Sequence, residues 1–309
     1  MIRTESEAVG TSLPEKRWTT LVDSVLSGHC TPFLGAGIGI PHLPSGRSLA
    51  MSLAGEFEYP FADPDNLPRV AQYVATTYDD PNFVKRNVQR RIQQAQQECL
   101  EAAGGAAPEN YRVLAKLGLP LFVTTNYDGL MEQALRTGGL DPRIEVCRWN
   151  NQLAQSLGRY RTGDLSAAKP GVFHMHGALE NASSLLLTED DYVDFTVSLA
   201  LEPVTNVLWH HVRRRLGPDY SLLFLGYSLE DWNFRVLMKY LFLQQKVHRS
   251  GQASSLSIQL SDAELPADRR QKAESFLTRY FETSAIRVHW TDVSGFLAEL
   301  GERLNAARR

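Results

Sequence analysis

Cysteine is scarce in this chain, whose 309 residues include only Cys30, Cys99 and Cys147. No two of them form a C-x-x-C pair, which excludes a zinc module built on four cysteines. An odd and scattered set indicates reduced thiols rather than a disulfide framework. We therefore expect a cytoplasmic protein.

Long apolar runs and a strong net charge are also missing. No run approaches the roughly 18 apolar residues of a membrane span, and residues 1–13 form a polar tail without a signal-peptide core. The net charge is −3, so no bulk positive field attracts nucleic acid. The basic run 210–215 suits the last turn of a helix, where the dipole stabilises cations. We expect neither membrane association nor direct nucleic acid binding.

The chain does contain an alternation of short apolar segments and helical patterns. The apolar segments begin near residues 30, 119, 144, 172, 221, 255 and 286. This alternation predicts an α/β fold with a doubly wound, mostly parallel, Rossmann-like sheet and helices on both faces. We predict one domain over residues 14–309, preceded by a flexible tail over residues 1–13.

Two stretches of the predicted domain depart from this alternation. Residues 46–118 carry no strand pattern, so we predict a helical insertion that caps the ligand edge of the sheet. Its position makes it our candidate for a gate over the site. Residues 150–170 are polar and weakly patterned, and we expect a mobile loop there.

Four segments directly follow apolar strands, which is where open α/β sheets bind their ligands. In the first, residues 35–39 (GAGIG), small residues allow a pyrophosphate to approach the backbone N–H groups. A tight turn that needs small residues is the alternative. The segment does not match the dehydrogenase fingerprint G-x-G-x-x-G, because Ile40 stands at the third glycine.

The second segment is residues 124–128 (TTNYD), which delivers an amide and a carboxylate at the end of a strand. Asn126 and Asp128 are typical helix caps. One helix needs only one cap, however, and a second polar side chain at this edge suggests a ligand.

The third segment is residues 173–177 (FHMHG), in which strand alternation predicts that His174 and His176 share a face. They are hydrogen-bonded core histidines, metal ligands or a general base. A metal needs further ligands, and no second cluster has a suitable spacing. A single histidine that acts as a base fits better, because its ordinary pKa lies near neutrality.

The fourth segment, residues 225–233 (LGYSLEDWN), also follows an apolar strand. Gly226 and Ser228 suit a contact with a phosphate or a ribose, and Asp231 is placed to cap the next helix. An ordinary strand–turn–helix connection would contain the same residue types.

Taken in order, FLGAG, TTNYD, HG and GYSLEDWNF resemble the motif series of the sirtuins, and more closely that of bacterial SIR2-like effector domains associated with antiphage defence. The resemblance spans roughly residues 30–240 and implies an enzyme that consumes NAD+. Sirtuin deacylases carry two C-x-x-C pairs after their His-Gly motif, whereas no cysteine follows Gly177 here. The resemblance therefore implies hydrolysis of NAD+ to ADP-ribose and nicotinamide, with no zinc and no cofactor beyond the substrate.

The resemblance also assigns roles to residues. Asn126 would orient the nicotinamide ribose and the attacking water, His176 would be the general base, and Asp128 would hold the nicotinamide end. The predicted NAD+ contacts as a set are Gly35, Ala36, Gly37, Thr125, Asp128, Gly226, Ser228 and Asp231. Gly39 stands where the family usually has serine.

The resemblance further implies a homo-oligomer whose activity is gated, through a separate sensor or an ATPase partner protein. Two alternatives remain open at this stage. One is a module that senses NAD or ADP-ribose without cleaving it, and the other is an NAD-dependent protein deacylase.

Overall fold

Seven apolar segments of the chain form strands in a single sheet. The computed structural model describes residues 13–201, 206–217, 219–227, 235–236, 255–259, 266–282 and 286–309, and elements are numbered in chain order within these ranges. The strands are β1 Cys30–Leu34, β2 Leu121–Thr124, β3 Arg143–Val146, β4 Gly171–His174, β5 Ser221–Leu225, β6 Ser255–Gln259 and β7 Ile286–Trp290.

The strand order is β3-β4-β2-β1-β5-β6-β7, and every neighbouring pair is parallel. All residues of β1 and β2 are buried, as expected for strands that are covered by helices on both faces. The predicted doubly wound, Rossmann-like fold is therefore confirmed.

Helices cover both faces of this sheet, and three further helices lie apart from it. In chain order, all of these helices are α1 Glu15–Leu26, α2 Gly46–Glu56, α3 Leu67–Thr77, α4 Pro81–Ala102, α5 Glu109–Ala115, α6 Leu130–Thr137, α7 Asn151–Leu157, α8 Glu189–Ala200, α9 His210–Arg215, α10 Ala267–Glu282 and α11 Val293–Ala307. Residues of α1, α5, α6 and α11 pack with Leu34 and Phe122 on one face, and residues of α7, α8, α9 and α10 pack with Phe33 and Val123 on the other. Within the described ranges, no helix has the length and apolar character needed to cross a membrane.

Helices α2, α3 and α4 form a small core of their own between β1 and β2. Apolar residues such as Leu53, Val74 and Val88 pack together, and Leu179 and Leu187 from beyond β4 join them. The side chains of the residues just before these helices cap their first turns: Ser45, Asn66 and Asp80. Helix α5 instead packs against the sheet layer, so the separate core ends with α4.

The predicted mobile loop over residues 150–170 contains the helix α7, so this expectation is wrong in part. The side chain of Asn150 caps the helix by accepting from Leu153 N at 2.8 Å, and Leu153 is buried. After the helix, the ring of Tyr160 lies under the guanidinium group of Arg148, with 3.5 Å between the guanidinium carbon and the ring centroid. One cap and two anchoring side chains therefore order a segment that has little apolar pattern.

A buried ion pair joins the small helical core to the sheet layer. Lys85 Nζ on α4 lies 2.8 Å from Asp191 Oδ1 on α8, and the two side chains are only 5% and 11% exposed. Asp191 Oδ2 also accepts from the backbone N–H groups of Leu187 and Thr188. With its carboxylate satisfied from three directions, Asp191 fixes where α8 begins.

We predict that Lys85→Met lowers the free energy of unfolding by about 3–5 kcal/mol, because it leaves the Asp191 carboxylate buried without its cation. Arg47→Met is the matched control, since the Arg47–Asp65 pair spans 3.5 Å with the arginine side chain 75% exposed. The Arg47→Met substitution should lower the free energy of unfolding by less than about 1 kcal/mol. Equilibrium urea unfolding measures both, and equal losses would contradict this role for Lys85.

Candidate functional site

The loops that follow β1 and β5 meet at the carboxyl edge of the sheet. These strands are neighbours, and the next strands in sequence, β2 and β6, lie on opposite sides of the pair, which is the position where doubly wound sheets bind ligands. Gly35 N donates to Leu225 O at 2.9 Å, and Gly37 N donates to Gly226 O at 2.8 Å. The two loops are therefore held in direct backbone contact.

Glycine is required at three positions of this contact. A Cβ atom at Gly35 would lie 2.7 Å from Gly226 O, and one at Gly37 would lie 2.9 Å from Gly226 Cα. Gly226 has φ +74, and a Cβ atom there would overlap the backbone nitrogen of Ile38. Close packing between the loops thus explains these glycines. Contact of Gly35, Ala36, Gly37 and Gly226 with NAD+ stays a prediction.

Asn126 is tied to the same loop by its side chain. Its Nδ2 donates to Gly35 O at 3.0 Å, and its backbone N–H donates to Thr124 Oγ1 at 3.0 Å. Because a carbonyl oxygen only accepts, Nδ2 must face Gly35, which leaves Oδ1 as an acceptor for another group.

Asp128, rather than Asn126, accepts a hydrogen bond from the first residue of the following helix, whose N-cap position is occupied by Gly129. Asp128 Oδ1 accepts from Leu130 N at 3.1 Å, and its side chain is buried. Burial raises the pKa of Asp128 to about 6, although the hydrogen bond from Leu130 opposes this shift. This hydrogen bond explains Asp128 without a ligand, whereas the Asn126 carboxamide takes no part in the start of the helix and is held by Gly35 O instead. A nicotinamide contact for Asp128 stays a prediction.

Tyr227 joins three loops and was missed by the sequence analysis. Its hydroxyl lies 3.2 Å from Thr125 Oγ1 and 3.2 Å from Leu34 O. Thr125 N also donates to Leu34 O at 3.0 Å. Thr125 is thus part of the framework that connects β1, β2 and β5. Ser228 and Asp231 from the fourth predicted segment lie outside the described residues.

The two histidines of the third segment face different helices, so the prediction that they share a face is wrong. Strand β4 ends at His174, and the turn that follows reorients His176. His174 is buried and contacts Glu132 on α6. His176 is half-buried, and its ring packs edge-on against Tyr192 and Phe195 of α8.

The strand register relates Asn126 and His176 to the same rung of the sheet. Thr124 pairs with His174 in the parallel β2–β4 ladder, so Asn126 and His176 each follow the same rung by two residues. Burial lowers the pKa of His176 to about 3, so its imidazole is neutral at physiological pH. A carboxamide and a neutral imidazole therefore follow neighbouring strand ends.

Gly177 allows this turn to form. Its φ is +91, and a Cβ atom would overlap the carbonyl oxygen of Ser184. The same carbonyl accepts from Trp149 Nε1 at 2.9 Å, and Ala178 N donates to Ser184 Oγ at 3.0 Å. The chain on both sides of the turn is thus fixed by buried hydrogen bonds.

Glutamines of α4 reach both site loops, and no pattern in the sequence predicted these contacts. Gln96 Oε1 accepts from Gly129 N at 2.8 Å, just beyond Asn126. Gln89 and Gln93 donate to Leu179 O, just beyond His176. Because residues at these spacings share one face of a helix, a single helix holds the loops after β2 and β4 together.

Comparison with known proteins identifies the family of this chain. The SIR2-like domain family matches residues 120–288, which is more than half of the chain. The chain belongs to the SIR2-like domain family. The matched range of this SIR2-like chain includes Asn126, His176 and Gly226. It begins after the loop at residues 35–39, which joins the site through the contact between Gly37 and Gly226.

Several curated proteins named NAD(+) hydrolase ThsA are similar to this SIR2-like chain. The protein from Cytobacillus dafuensis is 28% identical over 204 residues, which is 64% of this chain and 35% of the relative. The one from Enterococcus faecium is 27% identical over 218 residues, covering 70% and 40%. The one from Acinetobacter baumannii (strain 532279) is 25% identical over 223 residues, covering 70% and 39%. The aligned part is therefore well under half of each relative.

We predict that Gly226→Ala destabilises this SIR2-like domain more than Gly139→Ala does. Both glycines have positive φ, but nothing lies within 4 Å of a Cβ atom at Gly139. The control Gly139→Ala should therefore lower the free energy of unfolding by about 1–2 kcal/mol through backbone strain alone. Gly226→Ala should lose about 1–3 kcal/mol more, because it also forces the loops apart. Urea unfolding measures both, and equal losses would show that the loop contact is not tight.

Proposed function

We propose that this SIR2-like domain hydrolyses the N-glycosidic bond of NAD+ and releases ADP-ribose and nicotinamide. The observation that carries the proposal is the placement of Asn126 and His176, each two residues beyond one rung of the β2–β4 ladder. The name of the relatives, NAD(+) hydrolase ThsA, supports the choice of substrate and reaction.

The reaction needs little acid–base chemistry to begin. The bond from ribose C1′ to the nicotinamide nitrogen breaks, and its electron pair neutralises the positive pyridinium ring. The ribose is left with the character of an oxocarbenium ion. The oxygen of a water molecule then bonds to C1′, and one proton is released. The site contributes mainly by orienting the reactants and by stabilising positive charge.

Asn126 and His176 supply the polar groups for these steps. Asn126 is anchored through Nδ2, so Oδ1 accepts a hydrogen bond from the attacking water. Neutral His176 accepts a proton from a ribose hydroxyl, which the developing cation makes more acidic. That hydroxyl regains a proton from the attacking water, so the one proton that the reaction releases leaves through His176. A positioned base of this kind contributes on the order of 10²–10⁴-fold to the rate.

The remaining predicted contacts within the described residues follow β1, β2 and β5. We place the pyrophosphate against Ala36, which is exposed on the turn over residues 36–39, and against the loop that contains Gly226. Thr125 and Asp128 lie on the side of Asn126, where the nicotinamide ribose binds. We propose no zinc and no cofactor beyond the substrate, because the sequence has no cysteine after Cys147.

We propose that hydrolysis is gated and serves antiphage defence by depleting NAD+. An NADase without control would exhaust its own cell. A homo-oligomer and a separate sensor or ATPase partner are our proposals for that control. The bonds from α4 to both site loops support the helical insertion as the element through which a gate acts. The three free thiols support a reducing compartment such as the cytoplasm.

One observation favours a second candidate, a module that binds NAD+ without cleaving it. Burial that lowers the pKa of His176 to about 3 makes the imidazole a weak base. A sensor needs no base, so this environment suits it. Product analysis separates the two candidates, because only the hydrolase forms nicotinamide.

We predict that Asn126→Ala and His176→Ala each reduce nicotinamide release at least about 100-fold, because each removes a group that acts on the reacting ribose. Purified protein is incubated with NAD+, and nicotinamide, ADP-ribose and NADH are separated by chromatography. Wild-type protein should form the first two in equal amounts and no NADH.

The control variants carry the same substitution types away from the site. The controls are His29→Ala and Asn305→Ala. His29 lies at the opposite edge of the sheet, just before β1, and Asn305 is exposed on α11. Both should retain full activity. Normal turnover by Asn126→Ala and His176→Ala would overturn the assignment, and NAD+ binding by wild-type protein without products would favour the sensor.

A further inference from the structure

His174 lies between two groups that only accept hydrogen bonds. Its Nδ1 is 3.1 Å from the backbone oxygen of Asn126, and its Nε2 contacts Glu132 Oε1. Both ring nitrogens must therefore carry a proton when Glu132 is ionised. The chain of contacts runs from α6, through the last residue of β4, to the loop that holds the Asn126 side chain.

We infer that Glu132 and His174 are positioning residues for NAD+ cleavage. Glu132 keeps the Nδ1–H of His174 directed at the backbone carbonyl oxygen of Asn126. Through this hydrogen bond the pair fixes the backbone from which the Asn126 carboxamide extends. The inference rests on the proposed function. Neither side chain needs to touch the substrate, since Glu132 is 3% and His174 is 1% exposed.

The charge state follows from the surroundings of the ring. Burial alone would lower the pKa of His174, but the charge and the hydrogen bond of Glu132 outweigh it and raise the pKa to about 9. Glu180 beyond β4 adds a smaller attraction. Asp128 is also near His174, and Tyr111 on α5 faces Asp128 and Glu132.

Loss of a proton from His174 breaks its hydrogen bond to the backbone of Asn126. The Glu132 carboxylate still requires a donor, so it retains the Nε2–H, and the proton that leaves is the one on Nδ1. The Nδ1 lone pair then faces the lone pairs of the Asn126 oxygen. The loop loses its hydrogen bond as the pH rises through about 9. Asp128 titrates near pH 6 and the pKa of Tyr111 is raised well above its ordinary value, so neither produces a change at this pH.

Stabilisation of the fold does not explain why residue 132 carries a carboxylate. Glu132 Oε2 is buried and has no hydrogen-bond partner in the described part of the chain. Leaving a charged oxygen unsatisfied in the interior is unfavourable. A glutamine of the same shape would avoid this, while its NH2 group donates to Nε2 of a neutral His174. In that arrangement the Nδ1–H still points at the Asn126 oxygen.

Two variants of Glu132 therefore separate the pair's role from simple packing. Glu132→Gln should keep kcat near the wild-type value at pH 7 and should unfold at an equal or higher temperature. Glu132→Leu removes control of the tautomer, so kcat should fall about 10–100-fold, in line with the effect of small displacements of reacting groups. The rate is measured as nicotinamide release against a blank without enzyme.

The pH profile gives the sharper test. Wild-type kcat should decline with a midpoint near pH 9, whereas Glu132→Gln should show no decline there, because its His174 is already neutral with the proton on Nδ1. Equal losses in Glu132→Gln and Glu132→Leu, wild-type activity in Glu132→Leu, or the same alkaline midpoint in Glu132→Gln would each overturn the inference. If Glu132→Leu does not fold, the two pH profiles still decide.

Hydrogen exchange separates this inference from the proposed function. Amides over residues 124–130 should exchange faster in wild-type protein at pH 10 than at pH 8, after correction for the intrinsic rate, and Glu132→Gln should not show this change. The result does not depend on NAD+ cleavage. If the protein lacks NADase activity but shows the exchange difference, the proposed function is refuted, whereas the ordering of the loop by Glu132 and His174 is supported. If there is no exchange difference, the role of Glu132 and His174 is refuted.

Discussion

The hydrogen bond from Asn126 Nδ2 to the carbonyl oxygen of Gly35 connects the loop after β2 to the loop after β1. It forms only because the β1 loop lies flat against the β5 loop, where Gly35, Gly37 and Gly226 leave no room for a Cβ atom. A side chain at any of these positions would push the loops apart and release the carboxamide. Three glycines and one carbonyl thus decide which way Asn126 presents its acceptor oxygen, and the geometry that we propose for catalysis depends on that orientation.

Buried polar pairs hold the elements around this contact. Lys85 and Asp191 join α4 to α8, the helix against which His176 packs. Glu132 and His174 join α6 to the strand end below Asn126. Buried charges stabilise a fold less than apolar residues of the same shape, but they accept few alternative arrangements. Their position on both sides of the site suggests that they order its loops.

The sequence predicts the features of this site that arise from local chemistry. Strand segments are apolar and short, so the fold class follows from their alternation with helices. Asn126, His176 and the glycines are recognisable because unusual residues directly follow strands. The family model then confirms the resemblance from which the roles were drawn.

The sequence did not predict features that depend on contacts between residues far apart in the chain. Glu132 and Gln96 look like ordinary helix residues, and only the packing of α6 and α4 shows that they meet His174 and Gly129. Strand alternation placed the two histidines on one face, but β4 ends at His174 and the turn changes the direction of His176. The helix α7 was missed because a single cap and one buried leucine specify it.

We propose that NAD+ binds at the edge where the loops after β1, β2, β4 and β5 meet, with its reacting ribose between Asn126 and His176. A crystal structure of His176→Ala soaked with NAD+ would show the binding site. We expect the nicotinamide ribose beside the Asn126 carboxamide, with the pyrophosphate against Ala36 and the Gly226 loop. NAD+ bound at another edge of the sheet, or with its nicotinamide ribose remote from Asn126, would contradict this proposal.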